Sequence, residues 1–529
     1  MRFGGAPLLL FAASLVGCSH DPGPISNGML LPREAIAVAR AWISGSPDPR
    51  QPPANRVEWI SRPELAPFPH RPIPQHPFLA ANPGSNMHDD ASMSDTAEVA
   101  GPVGNGAEIR TRSRGFGGYG TIAFDRKGRI VGVYSNGRGF ELQVLDADRL
   151  EQVASYPFPG RPWYWPLQGI LPWKYIGAGM YFFLDERDRA VVPTTRNTIE
   201  VVQIPAGDGP IEPVRSYDLA DRVIPMRWPA EDSIAWVLPD WSGRACWWAT
   251  TGGMIGVIDL DSGAVRTHRL DGEVGENSFA VGEDGVFVVS DRALYRFHLA
   301  DDGSVAVDWR SEYDRGPAAK PGHITRGSGT SVTLTGDRNG MVVITDNAEP
   351  RIHLLFVRRS DGSLACREPL FGEGRSGTDI SAVAFESDDG RHVAVVENNW
   401  GYHSFPVAAL EPGITRVDAE RQTDGSYRCR TIWESREGNL GVMKASLGNG
   451  LLYTYFRRDD AAVDQFGFST IDLRDGRTVS RVHAGSGQGF NNWSGALFLS
   501  PRGVVYTTTI FGLVEWRDEH PGRTDAPPG

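Results

Sequence analysis

The feature that most limits the fold of this chain is a tight polar turn between two strand-like runs, which returns eight times. The first copy reads FDRKGRIVGVYS and the last reads SPRGVVYTTT, and neighbouring copies lie about 40 to 60 residues apart. Seven copies carry a turn glycine, which tolerates the positive φ of tight hairpins, and the second has Asp188-Arg189 instead. The glycines are Gly128, Gly243, Gly285, Gly340, Gly390, Gly450 and Gly503. This spacing is typical of four-stranded propeller blades.

The last unit of the repeat is incomplete. It supplies only the runs GALFLS, VVYTTTI and GLVEWR before the chain ends in a polar tail. A ring with an open edge would be prone to aggregate, so the missing strand must come from elsewhere, and RVEWIS or AEIRTRS near the N-terminus are the candidates. We therefore predict an all-β fold, a single β-propeller of four-stranded antiparallel blades closed by an N-terminal strand. Eight blades are favoured, with seven as the alternative.

The turns between the third and fourth runs also repeat. Two of them read VIDLDSGAVRTH and TIDLRDGRTVSRV. They resemble the repeat of the quinoprotein-like (PQQ-like) propeller superfamily, roughly Ala-x-Asp-x-x-Thr-Gly with a tryptophan four residues on. The resemblance covers residues 118–518, although most copies lack the tryptophan.

The N-terminus reads as a targeting signal. Arg2 precedes an apolar run from Pro7 to Val16, which is too short to span a bilayer as a mature helix. The tetrapeptide at 15–18 resembles the bacterial lipoprotein box, which implies cleavage after residue 17 and lipid chains on Cys18 that anchor the protein to a membrane. A plain signal peptide with a chance cysteine is the alternative. Ser19, where some bacteria read Asp as a sorting signal, favours the outer membrane facing the periplasm.

Residues 18–117 differ in composition from the repeats. A short helical pattern, REAIAVARAWI, is followed by a proline-rich run from Pro47 to Pro77 and then by a polar stretch rich in breakers. We expect a lipid-anchored tether that wraps the propeller and is partly disordered. The propeller then spans 118–518, and 519–529 form a tail.

Charge and cysteine content exclude some functions. The net charge of −12 argues against a nucleic-acid partner, because phosphate binding needs a concentrated basic face. Export would allow Cys246, Cys366 and Cys429 to oxidise. Cys366 and Cys429 each follow a turn glycine by four residues, so they take equivalent places on outer strands that splay apart. We therefore predict no bond between them.

Antiparallel pairing places the candidate site. The end of each second strand lies beside the start of each first strand, on one face of the ring. VENNWGY ends a second strand, and GFNNWSG begins a first strand. We call this polar face the mouth, and the opposite face, which receives the tight glycine turns, the turn face. Loop-borne polar residues on a rigid scaffold are a common design for a site.

The carboxylates and amides of the mouth are hard oxygen ligands, and Ca²⁺ is coordinated by six to eight such ligands. The predicted metal ligands are Glu276, Asp346, Asn347, Glu397 and Asn399, with Asn277, Asn398, Asn491 and Asn492 as further cofactor-binding groups. The set resembles the Glu/Asn/Asn/Asp shell that holds calcium in gluconolactonase- and paraoxonase-type propellers, which have six blades. The alternative is that these side chains cap loops by bonding backbone groups.

Three candidate catalytic residues lie in the same loops. His323 and His403 are placed to act as a general base, and Arg326 to hold an anionic group. The favoured function is a metal-assisted hydrolase of the lactonase or esterase type, in which calcium polarises a substrate carbonyl.

Two other functions stay open. A quinoprotein dehydrogenase would bind PQQ with calcium, but this chain has no adjacent cysteine pair to cover the quinone. A non-enzymatic scaffold in the cell envelope would resemble the propeller lipoprotein of outer-membrane assembly machinery. The partner is accordingly a small-molecule substrate or an envelope protein.

Overall fold

The computed structural model describes residues 56–519, except 114–116, 137–138, 162–176, 224–231, 276, 322, 324, 402–410, 459–463 and 493. The predicted signal peptide, Cys18, the short helical pattern and all but the first residue of the tail lie outside these residues. The described part contains strands and a single turn of 3-10 helix at Gln488–Phe490, with no α-helix. Accordingly, no helix in it has the length and apolar character needed to cross a membrane.

Three strands precede the first blade: β1 (Val57–Trp59), β2 (Thr96–Ala97) and β3 (Ala107–Ser113). Blade 1 comprises β4 (Gly118–Phe124), β5 (Ile130–Ser135), β6 (Phe140–Leu145) and β7 (Gln152–Phe158), and blade 2 comprises β8 (Phe183–Leu184), β9 (Arg189–Pro193), β10 (Thr198–Gln203) and β11 (Glu212–Asp218). Blade 3 comprises β12 (Ile234–Pro239), β13 (Ala245–Thr250), β14 (Met254–Asp259) and β15 (Val265–Arg269), and blade 4 comprises β16 (Ala280–Gly282), β17 (Gly285–Val289), β18 (Ala293–Leu299) and β19 (Val305–Glu312). Blade 5 comprises β20 (Thr333–Thr335), β21 (Met341–Thr345), β22 (His353–Arg358) and β23 (Leu364–Pro369), and blade 6 comprises β24 (Val383–Glu386), β25 (His392–Glu397), β26 (Ile414–Arg421) and β27 (Tyr427–Ser435). Blade 7 comprises β28 (Lys444–Ser446), β29 (Leu451–Arg458), β30 (Gln465–Asp472) and β31 (Thr478–Ser486), and blade 8 contains β32 (Leu497–Leu499), β33 (Val505–Thr509) and β34 (Gly512–Asp518).

The eight-bladed propeller is confirmed, and so is its closure by an N-terminal strand. β3 pairs antiparallel with β34 and completes blade 8, so the predicted donor AEIRTRS is the one used. β1, from the other candidate RVEWIS, instead adds a fifth antiparallel strand outside β31. Blades 8 and 1 then meet, because Gly117 N–H donates to Ile510 O at 2.9 Å and the Phe124 and Tyr506 rings lie 5.8 Å apart.

The apolar core fills the spaces between blades. Strands β24 and β25 carry Val383, Val393 and Val395, which pack with Met443 and Leu452 of the next blade. The β-branched residues of VAVVE therefore lie buried between sheets, as expected of strands covered on both faces.

Residues 56–106, which we call the strap, cross the turn face. The Phe68 ring packs edge-on against Phe385 of blade 6, with centroids 5.3 Å apart. Further along, Phe78 lies so close to Gly243 in blade 3 that no side chain fits at that glycine. The Gly84 carbonyl accepts a bond from Phe124 N–H of blade 1 at 2.9 Å. The chain thus covers the ends of blades that are distant in sequence.

The strap then enters the centre of the ring, which we call the hub, and circles along the innermost strands. The bonds run from Val281 N–H to Ala91 O at 2.9 Å, Leu334 N–H to Ser92 O at 2.8 Å, Ala384 N–H to Ser94 O at 3.0 Å and Ala445 N–H to Asp95 O at 3.0 Å. This stretch is buried and hydrogen-bonded, which differs from the partial disorder expected of its polar sequence.

Charged side chains hold this part of the strap. Lys444 of β28 reaches the carboxylates of Asp95 at 2.6 Å and Asp89 at 3.0 Å, and it also donates to Met87 O at 2.7 Å. His88 Nδ1 lies 3.0 Å from Asp95. Burial alone raises the pKa of Asp95, but His88 and Lys444 outweigh it and hold that pKa below its ordinary value.

The prediction that Cys366 and Cys429 stay apart is wrong. They form a disulfide between the outer strands β23 and β27, with Cα atoms 5.6 Å apart, while Cys246 is free and buried. The reason is a bulge in β23, where Phe356 pairs with Cys366 and Val357 already pairs with Leu364. Counting residues from the turn glycine cannot reveal such a shift.

The same bulge precedes Trp309 on β19 and Trp433 on β27. Each indole docks on the next blade: Trp309 Nε1 donates to Arg359 O at 3.0 Å, and Trp433 Nε1 donates to Leu473 O at 2.8 Å. Cys366 occupies this docking position in blade 5, which is why it reaches the neighbouring blade.

Candidate functional site

The polar segments predicted to converge are indeed neighbours between consecutive blades. Asn197, after β9, donates to Asp232 O at 3.3 Å and accepts from Ile234 N–H at 3.0 Å, which ties blade 2 to blade 3. Asn277, before β16, donates to Gly329 O before β20. Gly441 and Ser494 form a parallel bridge between the starts of blades 7 and 8. The mouth is therefore built from loops of successive blades.

Asp346 and Asn347 follow β21 and serve the loops around them. The Asp346 carboxylate accepts from His353 N–H at 2.6 Å and lies 2.8 Å from His353 Nδ1, and burial raises its pKa. The Asn347 amide donates to Arg315 O and Ala318 O, both at 2.8 Å. These bonds fit the capping alternative.

Asn398 and Asn399 follow β25 and hold the loop that leads into blade 6. Asn398 donates to Arg375 O at 2.9 Å and accepts from the backbone N–H groups of Gly377 and Trp400, both at 3.2 Å. Asn399 accepts from Asp379 N–H at 3.1 Å and donates to the Asp379 carboxylate. Their side-chain oxygens are therefore occupied.

Glu397 ends β25 and is buried in a different setting. One carboxyl oxygen accepts from the Asn439 amide, which also donates to Gly441 O. Burial raises the pKa of Glu397 well above its ordinary value, with Asp379 and Asp95 adding to the effect and the Asn439 bond opposing it. Sequence reasoning missed Asn439, although EGNLGV stands at the start of a first strand like the other polar segments.

Asn492 lies next to this group. Its amide donates to Gly495 O at 3.1 Å, and a Cβ placed on Gly441 would be 2.7 Å from its nitrogen. Glu397 and Asn492 are thus linked through Asn439 and Gly441 across blades 6, 7 and 8. Asn491 is buried beside them, and its carbonyl accepts from Ile510 N–H at 3.0 Å.

Three buried oxygens of the predicted site have no hydrogen-bond partner within the described residues. They are Asn347 Oδ1, Glu397 Oε1 and Asn492 Oδ1. Such atoms are the ones that a cation would satisfy. However, the described side chains contain no group of three or more His, Cys, Asp or Glu arranged to hold a metal. A calcium ion at Glu397 and Asn492 would therefore need further amide or backbone carbonyl oxygens.

The candidate catalytic residues differ in their surroundings. Both ring nitrogens of His323 are buried without a hydrogen-bond partner among the described residues, and burial together with Lys320 lowers its pKa to about 4. Its ring lies beside Gly329, where an added Cβ would be 2.8 Å from Cε1. Arg326 is exposed and donates to Pro317 O at 3.3 Å. Glu276 and His403 lie outside the described residues.

Comparison with known proteins gives little beyond the fold. No family model and no curated protein matches the chain. Among solved structures, it is similar to BamB from Moraxella catarrhalis, with 14% identity and a TM-score of 0.31 over 64% of this chain and 95% of that one. It is also similar to the Cps50 (Swd1) propeller domain of Myceliophteria thermophila, with 10% identity and a TM-score of 0.33 over 64% and 96%. Likenesses this weak carry no functional argument.

Proposed function

We propose that the protein is an exported, lipid-anchored β-propeller that acts as a binding scaffold in the cell envelope and presents its mouth to an envelope protein. One observation carries this proposal: among the described residues, the chain's own strap fills the hub and crosses the turn face, and it does not cross the mouth. The amides and carboxylates of Asp346, Asn398 and Asn399 cap loops, so their density at the mouth no longer favours an enzyme.

Crosslinking in intact cells tests the scaffold. A photoreactive residue replaces Arg326 or Arg375, which are exposed in mouth loops, or Arg428, which is exposed on the outer strand β27. We expect one discrete crosslinked protein from both mouth positions and none from position 428. Crosslinks only from position 428, or from none of the three, would contradict the proposal.

The disulfide supports export independently of the N-terminal signal. Bonds such as Cys366–Cys429 form in oxidising compartments and are rare in the cytosol. Thiol labelling of the protein in intact cells should find Cys366 and Cys429 oxidised. Incorporation of a labelled fatty acid should depend on Cys18, and Cys18→Ser should release the protein to the soluble fraction. A labelled Cys18→Ser variant would contradict the lipid anchor.

A calcium-dependent hydrolase is the second candidate, because Glu397 Oε1 and Asn492 Oδ1, in neighbouring loops, are buried acceptors with no partner in the described ranges. Ca²⁺ bound there would polarise the carbonyl of a lactone or ester. His323, which is neutral at pH 7, would take the proton of the attacking water, and Arg326 would hold an anionic part of the substrate. No observation on the described residues favours the quinoprotein dehydrogenase over these two.

Calorimetry with calcium separates the two candidates. If the protein is the calcium-dependent hydrolase, calcium should raise the melting temperature of the wild-type protein, and Glu397→Gln should abolish that rise. Asp314→Asn, an exposed carboxylate of a mouth loop, is the matched control and should keep it. An unchanged melting temperature, together with no calcium by elemental analysis, would remove the hydrolase and leave the scaffold.

A further inference from the structure

A cavity of about 360 Å³ lies between blades 2 and 3, away from the mouth. Its walls come from all four strands of blade 2 and from β12, β13 and β14 of blade 3, and Phe78 of the strap closes one side. The rim includes Val214, which is 50% exposed, and Arg187, whose side chain is 68% exposed. A volume of this size falls in the range of small-molecule sites.

The cavity lies where other junctions hold a docked indole. On β11 a bulge again separates two pairs, Val201 with Arg215 and Val202 with Pro213. Arg215 therefore occupies the position that Trp309 and Trp433 hold on β19 and β27.

The contact made from this position is also the same. Arg215 Nη1 donates to Leu260 O at 2.5 Å, three residues before the turn glycine Gly263. The two indoles likewise bond the carbonyls three residues before Gly362 and Gly476. At those glycines the indole fills the space, since an added Cβ would lie 2.6 Å from each ring. A thin guanidinium makes the bond at blade 2 but does not fill the space.

The chemistry of the walls selects an uncharged ligand. The interior is formed mainly by aliphatic side chains and aromatic rings, among them Phe183, Val191, Ile199, Val201 and Ile258. Four of the six charged side chains that line it are paired, Arg189 with Asp185 at 2.5 Å and Arg187 with Glu186 at 3.0 Å, while Arg215 is engaged by the Leu260 carbonyl and Asp261 is exposed. Arg215 lies 4.8 Å from the centre of the Tyr217 ring, so its flat face is placed to stack on aromatic groups.

We propose that this cavity is a binding site for an uncharged aromatic molecule of two or three fused rings, which occupies the place of the missing docking tryptophan. The ligand would insert between Val201 of blade 2 and Ile258 of blade 3, beneath the Arg215 guanidinium. This site is independent of the mouth, so it stands whether the mouth serves a scaffold or an enzyme.

Indole itself is the probe, with calorimetry as the measurement. Wild-type protein should bind one indole with a dissociation constant of about 0.1 to 1 mM, as expected for a ligand of this size, and its melting temperature should rise with indole concentration. Arg215→Trp supplies the ring covalently and should weaken indole binding at least tenfold. Arg338→Trp, which adds an exposed tryptophan on blade 5, is the control and should bind as the wild type does.

The outcomes that overturn the proposal are specific. Absence of wild-type binding at about 10 mM indole, or unchanged binding by Arg215→Trp, would rule out the site. If Arg215→Trp does not fold, Val201→Phe fills the cavity from the neighbouring strand of the same blade, where Val201 pairs with Arg215, and should give the same tenfold loss. Indole-3-acetate should bind more weakly than indole, and stronger binding would refute an uncharged ligand.

Discussion

The hub and the mouth both contain buried charged and amide side chains, but these are satisfied in different ways. In the hub, Lys444 pairs with Asp89 and Asp95, and all three are fully buried. At the mouth, Lys320 pairs with Glu349, which is 44% exposed, and it also donates to Ala348 O at 3.0 Å. The comparison indicates that charge pairs hold the strap in the hub, whereas the mouth is held by amides that bond the backbone.

Lys444→Met tests this comparison with the largest expected loss of stability. Removing the ammonium leaves Asp89 buried without its ion-pair partner and Asp95 with His88 alone, and such changes cost about 3–5 kcal/mol. Lys320→Met removes a pair in which Glu349 stays in contact with water and should cost less than about 1 kcal/mol. Urea unfolding of both variants measures the two losses. Equal losses would show that the hub is no more dependent on charge than the mouth.

Acid pH should destabilise the protein through two buried histidines, with a smaller effect than the loss of Lys444. Burial lowers the pKa of His323 at the mouth and of His76 in the strap to about 4. Between pH 6.5 and 4 the unfolded chain takes up protons that the folded protein refuses, so stability is lost as the pH falls. Relative to the wild type, His323→Leu should gain about 2 kcal/mol between pH 7.5 and pH 5.

His76→Leu is the matched variant and should gain a similar amount over the same pH range. It differs at pH 7.5, where it should cost about 1 kcal/mol because His76 Nδ1 accepts from Phe78 N–H at 3.2 Å. His323 has no such bond to the part of the chain that the structure describes. Chemical denaturation at the two pH values measures both effects. If the stability difference between His323→Leu and the wild type does not change with pH, the imidazole of His323 is solvated.

The smallest effect is expected from two asparagines of blade 7. Asn439→Ala removes the bond to Glu397 at the mouth, and Asn449→Ala removes the bond to Gly101 O in the strap at 2.9 Å. Each should cost about 1 kcal/mol. Only Asn449→Ala should speed proteolytic cleavage within the strap. Equal cleavage in both variants would mean that the strap is not held by local contacts of this kind.

The ring could be predicted from the sequence because its turns are local. Seven glycines and Asp188, which takes a φ of 56°, mark the hairpins directly. The need for a closing strand followed from the three-run last unit. By contrast, the burial of the strap could not be predicted, since Asp95 finds its partner Lys444 349 residues away. A polar stretch with unknown partners is indistinguishable from a disordered one.

The position of the candidate site could be predicted, but the role of each side chain there could not. Antiparallel pairing alone placed Glu397 and Asn492 on one face. Whether an asparagine such as Asn398 binds a ligand or caps a loop depends on which carbonyl it reaches, here that of Arg375. The disulfide was missed for a related reason, because the bulge before Cys366 has no glycine or proline to mark it.

The pairing of β3 with β34 also sets an order of events during biogenesis. Val103 N–H bonds the Asp518 carboxylate across 415 residues. The first part of the ring to be synthesised therefore has no partner until the last part has been synthesised. No intermediate lacking the C-terminal blade can seal the circle, and contacts this distant in the chain make for slow folding. The ring would therefore stay open, with its apolar edges exposed to aggregation, until the final residues are made.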